Sequence, residues 1–256
     1  MLRSLEDLER YAVRATDGDI GHVVTFLFDD QRWIIRYLVV QSGGHLFLDG
    51  RRVLISPISF RKVDWSARHF DLTLTMDKVK NSPGIDVDEP VSRRQERDYY
   101  GYYGYPYYWQ HSGIWGMGAY PGFLAAHDWD PRSVQDVDRS ADVHLRSAKE
   151  VRGYHIQGSD DAIGHIDDLL VDDETWNVRY LVIDTRNWWF GKKVLLSPHW
   201  ASRISWAERK VYVDLSRRAI EGSPEWTPTV GVHREFEQRL HDHYGRPGYW
   251  QTGSPP

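Results

Sequence analysis

The chain has 256 residues and a mass of 30.0 kDa, which suits one large domain or two ordinary ones and buries a core without help from disulfides or a structural metal. Its 32 Lys and Arg against 37 Asp and Glu leave a formal charge of −5, which excludes a strongly basic nucleic-acid binder while leaving room for a local basic patch. The absence of Cys removes disulfide frameworks, thiolate zinc sites and cysteine nucleophiles. No window approaches the ~20 apolar residues of a membrane span, and the opening residues alternate charged and apolar without a signal-peptide core. A cytoplasmic protein with no integral membrane segment is the expectation. The unusual quantity is aromatic content: 12 Trp, 15 Tyr and 8 Phe.

In chain order, Ser4-x-x-Asp7 predicts a capped helical turn. Residues 22–28 form a β-branched and aromatic run, 29–32 a turn, and 33–40 a second strand opening on Trp33. A third strand over 52–56 ends at Pro57, which cannot donate to a ladder. Residues 70–74 alternate at period two, and 93–99 suit a short amphipathic helix. The stretch from Tyr99 to Trp109 is too dense in Tyr, Gly and Pro for an ordinary strand. Residues 110–145 read as a linker, rich in Gly and aromatics at first and then acidic, whose aromatic half is suited to dock on a folded unit.

The pattern then starts again. Ser147-x-x-Glu150 opens it, strands follow at 163–171, 176–183, 193–197 and 210–215, and a short helix is expected at 234–240. The recurrence is residue by residue. Asp17 to His22 reads like Asp160 to His165, Trp33 matches Trp176, and Arg36-Tyr37-Leu38-Val39 matches Arg179-Tyr180-Leu181-Val182, all at an offset of 143. After a two-residue deletion the offset is 141, pairing Ser56-Pro57 with Ser197-Pro198, Trp65 with Trp206, and Ser82-Pro83 with Ser223-Pro224. The tails match as well: Tyr103, Pro106, Tyr108 and Trp109 align with Tyr244, Pro247, Tyr249 and Trp250. The chain is therefore a duplication of a unit of about 105 residues. It is expected to be mainly β, with repeats at 1–109 and 146–256 joined by the linker at 110–145.

Each repeat carries a short opening turn, Ile-Gly-His leading a strand (Ile20, Gly21, His22; Ile163, Gly164, His165), an Asp-Asp turn, a Trp (Trp33; Trp176), a strand containing Tyr-Leu-Val, and a strand ending in Ser-Pro. This order resembles the PRC-barrel family, the small β-barrel shared by the photosynthetic reaction-centre H subunit and bacterial ribosome maturation factors. The resemblance covers residues 3–83 and 146–224. It implies two tandem small β-barrels with short helices at their edges, and a non-enzymatic domain that works through protein contacts. The tails beyond the barrels look like those of stand-alone tandem PRC-barrel proteins of bacteria.

Candidate sites are few. His22 and His165 read as half-exposed strand residues after a glycine rather than as ligands, since neither keeps a second His or carboxylate beside it in both copies. The acidic crowd from Asp160 to Glu174 lacks a Ca²⁺-loop pattern, and its Asp167 and Asp168 correspond to Val24 and Thr25. His233, His241 and His243 share no helical face that would gather a metal. Ser56 and Ser197 sit in no nucleophile elbow. No cofactor, metal or catalytic residue is expected. The aromatics remain: Tyr103, Pro106, Tyr108, Trp109, Tyr244, Pro247, Tyr249 and Trp250 in the tails, with Trp188 and Trp189 in a loop, are the candidates for tail docking or for a partner surface. Matching tails favour docking, with the barrels paired as an internal pseudo-dimer that is open to further homo-oligomerisation. An unidentified protein partner ranks first and RNA second, because stacking rings on nucleic acid calls for a basic groove and only Arg93, Arg94 and Arg97 are near. A place beside a membrane electron-transport complex, like that of the H subunit, ranks third.

Overall fold

The structure, a computed structural model, describes residues 1–43, 50–84, 91–110, 113–116, 118–122, 145–185, 191–228 and 231–251. Strands form where β-branched and aromatic residues run together, in two seven-stranded sheets. The first contains β2 (Ala12–Ala15), β3 (Gly18–Asp29), β4 (Ile34–Ser42), β5 (Arg52–Ile55), β6 (Phe60–Asp64) and β7 (His69–Leu72) in the order β5-β4-β3-β2-β7-β6. The second contains β9 (His155–Gln157), β10 (Ala162–Asp172), β11 (Val178–Asp184), β12 (Lys193–Leu196), β13 (Ala201–Ser205) and β14 (Lys210–Val213) in the order β12-β11-β10-β9-β14-β13. The two orders are the same. Neighbours are antiparallel except for the parallel pairs β2–β7 and β9–β14.

The seventh strand of each sheet comes from elsewhere in the chain. β1 (Leu2–Ser4) pairs with β10, in the register Leu2 with Asp172 and Ser4 with Leu170. β8 (Leu145–Ser147) pairs with β3, in the register Leu27 with Ser147 and Asp29 with Leu145. The compact units accordingly do not coincide with the repeats. The N-terminal unit comprises Asp7–Ser147 and Glu174–Trp176; the C-terminal unit comprises Met1–Glu6, Ala148–Asp173 and Asn177–Pro256. The small segments are integral to their units. Ser4 Oγ donates to Asp168 in the C-terminal unit, whereas at the matching point of the N-terminal unit Ser147 Oγ lies 3.2 Å from Thr25 Oγ1. In the N-terminal unit the Trp176 ring sits 5.2 Å from Phe60, 6.1 Å from Phe70 and 6.5 Å from Phe26, all three on the strands of that sheet.

Two features differ from the sequence reading. Trp33 and Trp176 do not open the following strands. Both adopt left-handed backbone, with φ 57° and 61°, and lie at the tips of the β3–β4 and β10–β11 hairpins, so pairing resumes only at Ile34 and Val178. The conserved Ser-Pro steps do more than end a strand. Ser56 and Ser197 cap one-turn 3-10 helices, accepting from Ile58 N and His199 N, with the proline at the first helical position. The glycine of each Ile-Gly-His has a packing cause: a Cβ on Gly21 or Gly164 would collide with the carbonyl oxygen of Gln41 or Asp184 on the adjacent strand.

Six helices complete the described residues: α1 (Leu5–Leu8), α2 (Met76–Lys80), α3 (Arg93–Tyr103), α4 (Ala148–Val151), α5 (Arg217–Glu221) and α6 (Arg234–Tyr244). Helices α3 and α6 run past the 93–99 and 234–240 read from sequence, because their true stops are Gly104 and Gly245, left-handed at φ 72° and 62°.

Candidate functional site: the docked aromatic tails

Helix α3 begins with a capping box in which Ser92 and Gln95 satisfy each other's backbone donors. The helix then turns Arg93, Glu96, Tyr99 and Tyr100 inward. Glu96, only 2% exposed, is the pivot. Its carboxylate accepts from the hydroxyl of Tyr37 on β4 at 3.0 Å, from Tyr108 in the tail at 2.8 Å, and from Arg93 Nη1 at 2.8 Å. Tyr108 in turn accepts from Arg93 Nη1 at 2.9 Å. One buried carboxylate thereby ties sheet, helix and tail together.

The rings fill the space around this anion. Tyr99 donates to Leu54 O and accepts from Ser56 N, and Tyr105 meets Ser59 Oγ at 2.7 Å. Tyr103 stacks on Tyr105 with centroids 5.4 Å apart. The Arg93 guanidinium lies 4.4 Å from the Trp109 ring. Fully buried Arg36 stacks 3.7 Å from Tyr108, pairs with Asp29 at 3.1 Å and donates to Ile114 O at 2.6 Å. That last bond, with Trp115 Nε1 donating to Thr175 O at 2.8 Å, pins the described part of the aromatic half of the 110–145 segment to the N-terminal unit. Burial pushes the Glu96 carboxyl above the usual carboxylate range, against the pull of Arg93 and the two phenols. Burial also drives the Tyr37 and Tyr108 hydroxyls far up and that of Tyr105 to about 12, so the phenols stay protonated and act as donors.

The C-terminal unit builds the same device. Glu237 accepts from Tyr180 at 3.0 Å and from Tyr249 at 2.8 Å, and pairs with Arg234 at 2.9 Å. Arg234 lies 4.2 Å from the Trp250 ring and Arg179 lies 4.1 Å from Tyr249. One member differs: His241 stands where the first repeat has Tyr100. Its Nδ1 donates to Pro247 O at 3.0 Å, its Nε2 lies 3.0 Å from the Tyr180 hydroxyl, and burial lowers its pKa. His243 is occupied separately on Ala219 O, so these two histidines do not converge.

Of the residues singled out in the sequence, Tyr108 and Trp109 pack on Tyr100, Tyr103 on Tyr105, and Pro106 is buried; in the other unit Tyr244 packs on Trp200, and Tyr249 and Trp250 pack on each other and on His241. Pro247 is exposed but gives its carbonyl to His241. Ile20 and Ile163 are core residues, Trp33 and Trp176 are buried, His22 is exposed and His165 is half-buried. Trp188 and Trp189 lie outside the described residues. Sequence reasoning missed the charged centre, Arg93-Glu96 with Tyr37 and Arg234-Glu237 with Tyr180. The signal was present, since Arg93 and Glu96 recur as Arg234 and Glu237 at the offset of 141.

Among the described residues, one cluster apart from the tails has metal-ligand composition: donor atoms of His165, Asp167 and Asp184 all lie within 4.8 Å of one another. Among the described residues no helix is long and apolar enough to cross a membrane. No curated protein matches the chain. Residues 144–219, which run from β8 into α5 and so include the strand that joins the N-terminal sheet, match the family model of the PRC-barrel domain.

Proposed function

We propose that the chain is a tandem PRC-barrel protein, the product of a duplication, acting as a non-enzymatic protein-binding or assembly module. The match over 144–219 supports the second barrel, and the identical strand order of the two sheets supports reading the first as its duplicate. The observation that carries the functional reading is strand addition. Each sheet accepts a short segment from outside its own contiguous run, β1 onto β10 and β8 onto β3, so recruiting an extended segment is built into how these sheets are completed. The tails point the same way. The hydroxyls of Tyr108 and Tyr249 are committed to Glu96 and Glu237, and Tyr99, Tyr100 and Tyr108 are at most 2% exposed, which leaves these rings poor platforms for nucleic-acid bases.

The test is a low-salt pull-down of the tagged full chain from native lysate, reading protein and RNA together. A protein recovered in stoichiometric amount without RNA is expected. Ribosomal RNA that is enriched and then washes off as salt rises would replace this reading with an RNA-assembly role.

A further inference from the structure

We infer that the C-terminal sheet carries a binding site for a divalent first-row transition-metal ion, formed by His165, Asp167 and Asp184. Register places the donors. His165 on β10 is directly opposite Asp184 on β11, and Asp184 is opposite Lys193 on β12, so the three form one row across three strands. The β10–β11 ladder slips between Ile166 and Asp168, making Asp167 the extra residue of a bulge. Bulges re-aim side chains, and here the Asp167 carboxylate reaches the same cluster as its neighbours in the row. Asp184 is 2% exposed, whereas His165 and Asp167 are half-buried, giving an inner ligand and two outer ones with an open side for water.

The other repeat supplies an internal comparison. The N-terminal sheet has the same frame: His22 opposite Gln41, Gln41 opposite Arg52, and a slip at the same place, between Val23 and Thr25. Its side chains at the corresponding positions are His22, Val24 and Gln41. The second repeat therefore places two carboxylates beside the shared histidine, at two positions that meet in space but are far apart in sequence. The carboxylate at 184 is what sequence reasoning about His165 and Asp167 lacked.

Chemistry selects the ion. One imidazole and two carboxylates suit Zn²⁺, Mn²⁺, Co²⁺ or Ni²⁺, whereas Mg²⁺ and Ca²⁺ take oxygen donors. Lys193 Nζ, 2.6 Å from Asp167 Oδ2, is the counter-charge without metal, and an incoming ion displaces it from that oxygen.

Titration of the full chain with Co²⁺, followed by its visible absorption and by calorimetry, tests the site, with Zn²⁺ as competitor. One equivalent is expected to bind, with Lys193→Met binding more tightly. The paired change Asp167→Val with Asp184→Gln installs residues that the same frame already holds in the other repeat, so folding is expected to survive. It should weaken this binding at least tenfold, as should His165→Gln alone. The inference is overturned by the absence of a one-equivalent event in the unaltered chain, by unchanged affinity in the paired variant and in His165→Gln, or by preference for Mg²⁺ or Ca²⁺.

Discussion

Glu96 and Glu237 show how much rests on single buried charges. Each is nearly sealed from water and holds two phenols and an arginine. Removing one partner of such a pair strands the other, at a cost of about 3–5 kcal/mol, whereas deleting one neutral donor costs about 1 kcal/mol. Glu96→Ala is therefore expected to destabilise the N-terminal unit by the larger amount and Tyr37→Phe by the smaller, as read by urea denaturation; equal effects would show that the carboxylate is not the pivot. The sequence displayed these residues without their meaning. Arg93 and Glu96 look like one more solvated helical pair, and only the fold brings Tyr37, distant along the chain, against them. The aromatic tail residues were more legible, because a ring-dense segment kept twice has few roles other than packing.

At the scale of elements, the added strands are fastened by different chemistry at the same point. Thr25 meets Ser147 in one unit, and Asp168 takes Ser4 Oγ–H and the Glu6 amide in the other. Burial raises the Asp168 pKa to about 6, from an ordinary 3.8. The folded unit thus holds this proton more tightly than the unfolded chain does. Stability contributed by Asp168 is fully present only below the ordinary value of 3.8 and is lost as pH rises through 6. Against an Asp168→Thr variant, and with a chelator present, the C-terminal unit should gain about 2 kcal/mol between pH 7 and pH 4; parallel pH profiles for the two proteins would refute this. The tails make a second prediction at this scale. Trp109→Ala and Trp250→Ala each remove a ring facing an arginine, and each should lower the melting temperature of its unit by several degrees, about 2 kcal/mol. An unchanged temperature would mean that the tail is not held by its terminal ring. Eight strands were readable from alternation and β-branching, and the hairpin turns to within a residue, but β1, β2, β6, β8, β9 and β13, too short or too polar to show either signal, and the left-handed Trp ending each hairpin turn were not. A left-handed Trp at 33 or 176 defies local preference and is fixed by the core its ring enters, Trp176 among Phe26, Phe60 and Phe70.

For the whole molecule, the repeats visible in the sequence are not the units that fold. The N-terminal unit needs Leu145–Ser147 and Glu174–Trp176, and the C-terminal unit needs Met1–Glu6. Neither 1–109 nor 146–256 contains everything its sheet uses. Expressed separately, each half should show poor amide protection along β3 or β10, and mixing the halves should restore it; full protection in either half alone would sink this expectation. Offsets between matching residues revealed the recurrence in the sequence but not which stretch each short strand pairs with, because identity between segments carries no pairing information.

This cross-dependence sets a clock on the ribosome. The N-terminal sheet is synthesised early, yet its last core ring, Trp176, is added more than a hundred residues after β3. At typical elongation rates that is a wait on the order of ten seconds. Until then the nascent N-terminal half has an unfilled core, and the stretch of β3 that Leu145–Ser147 will cover stays unpaired until that segment has been made. Exposed apolar surface of this kind favours aggregation, and codon choices that slow the 110–145 segment would lengthen its exposure.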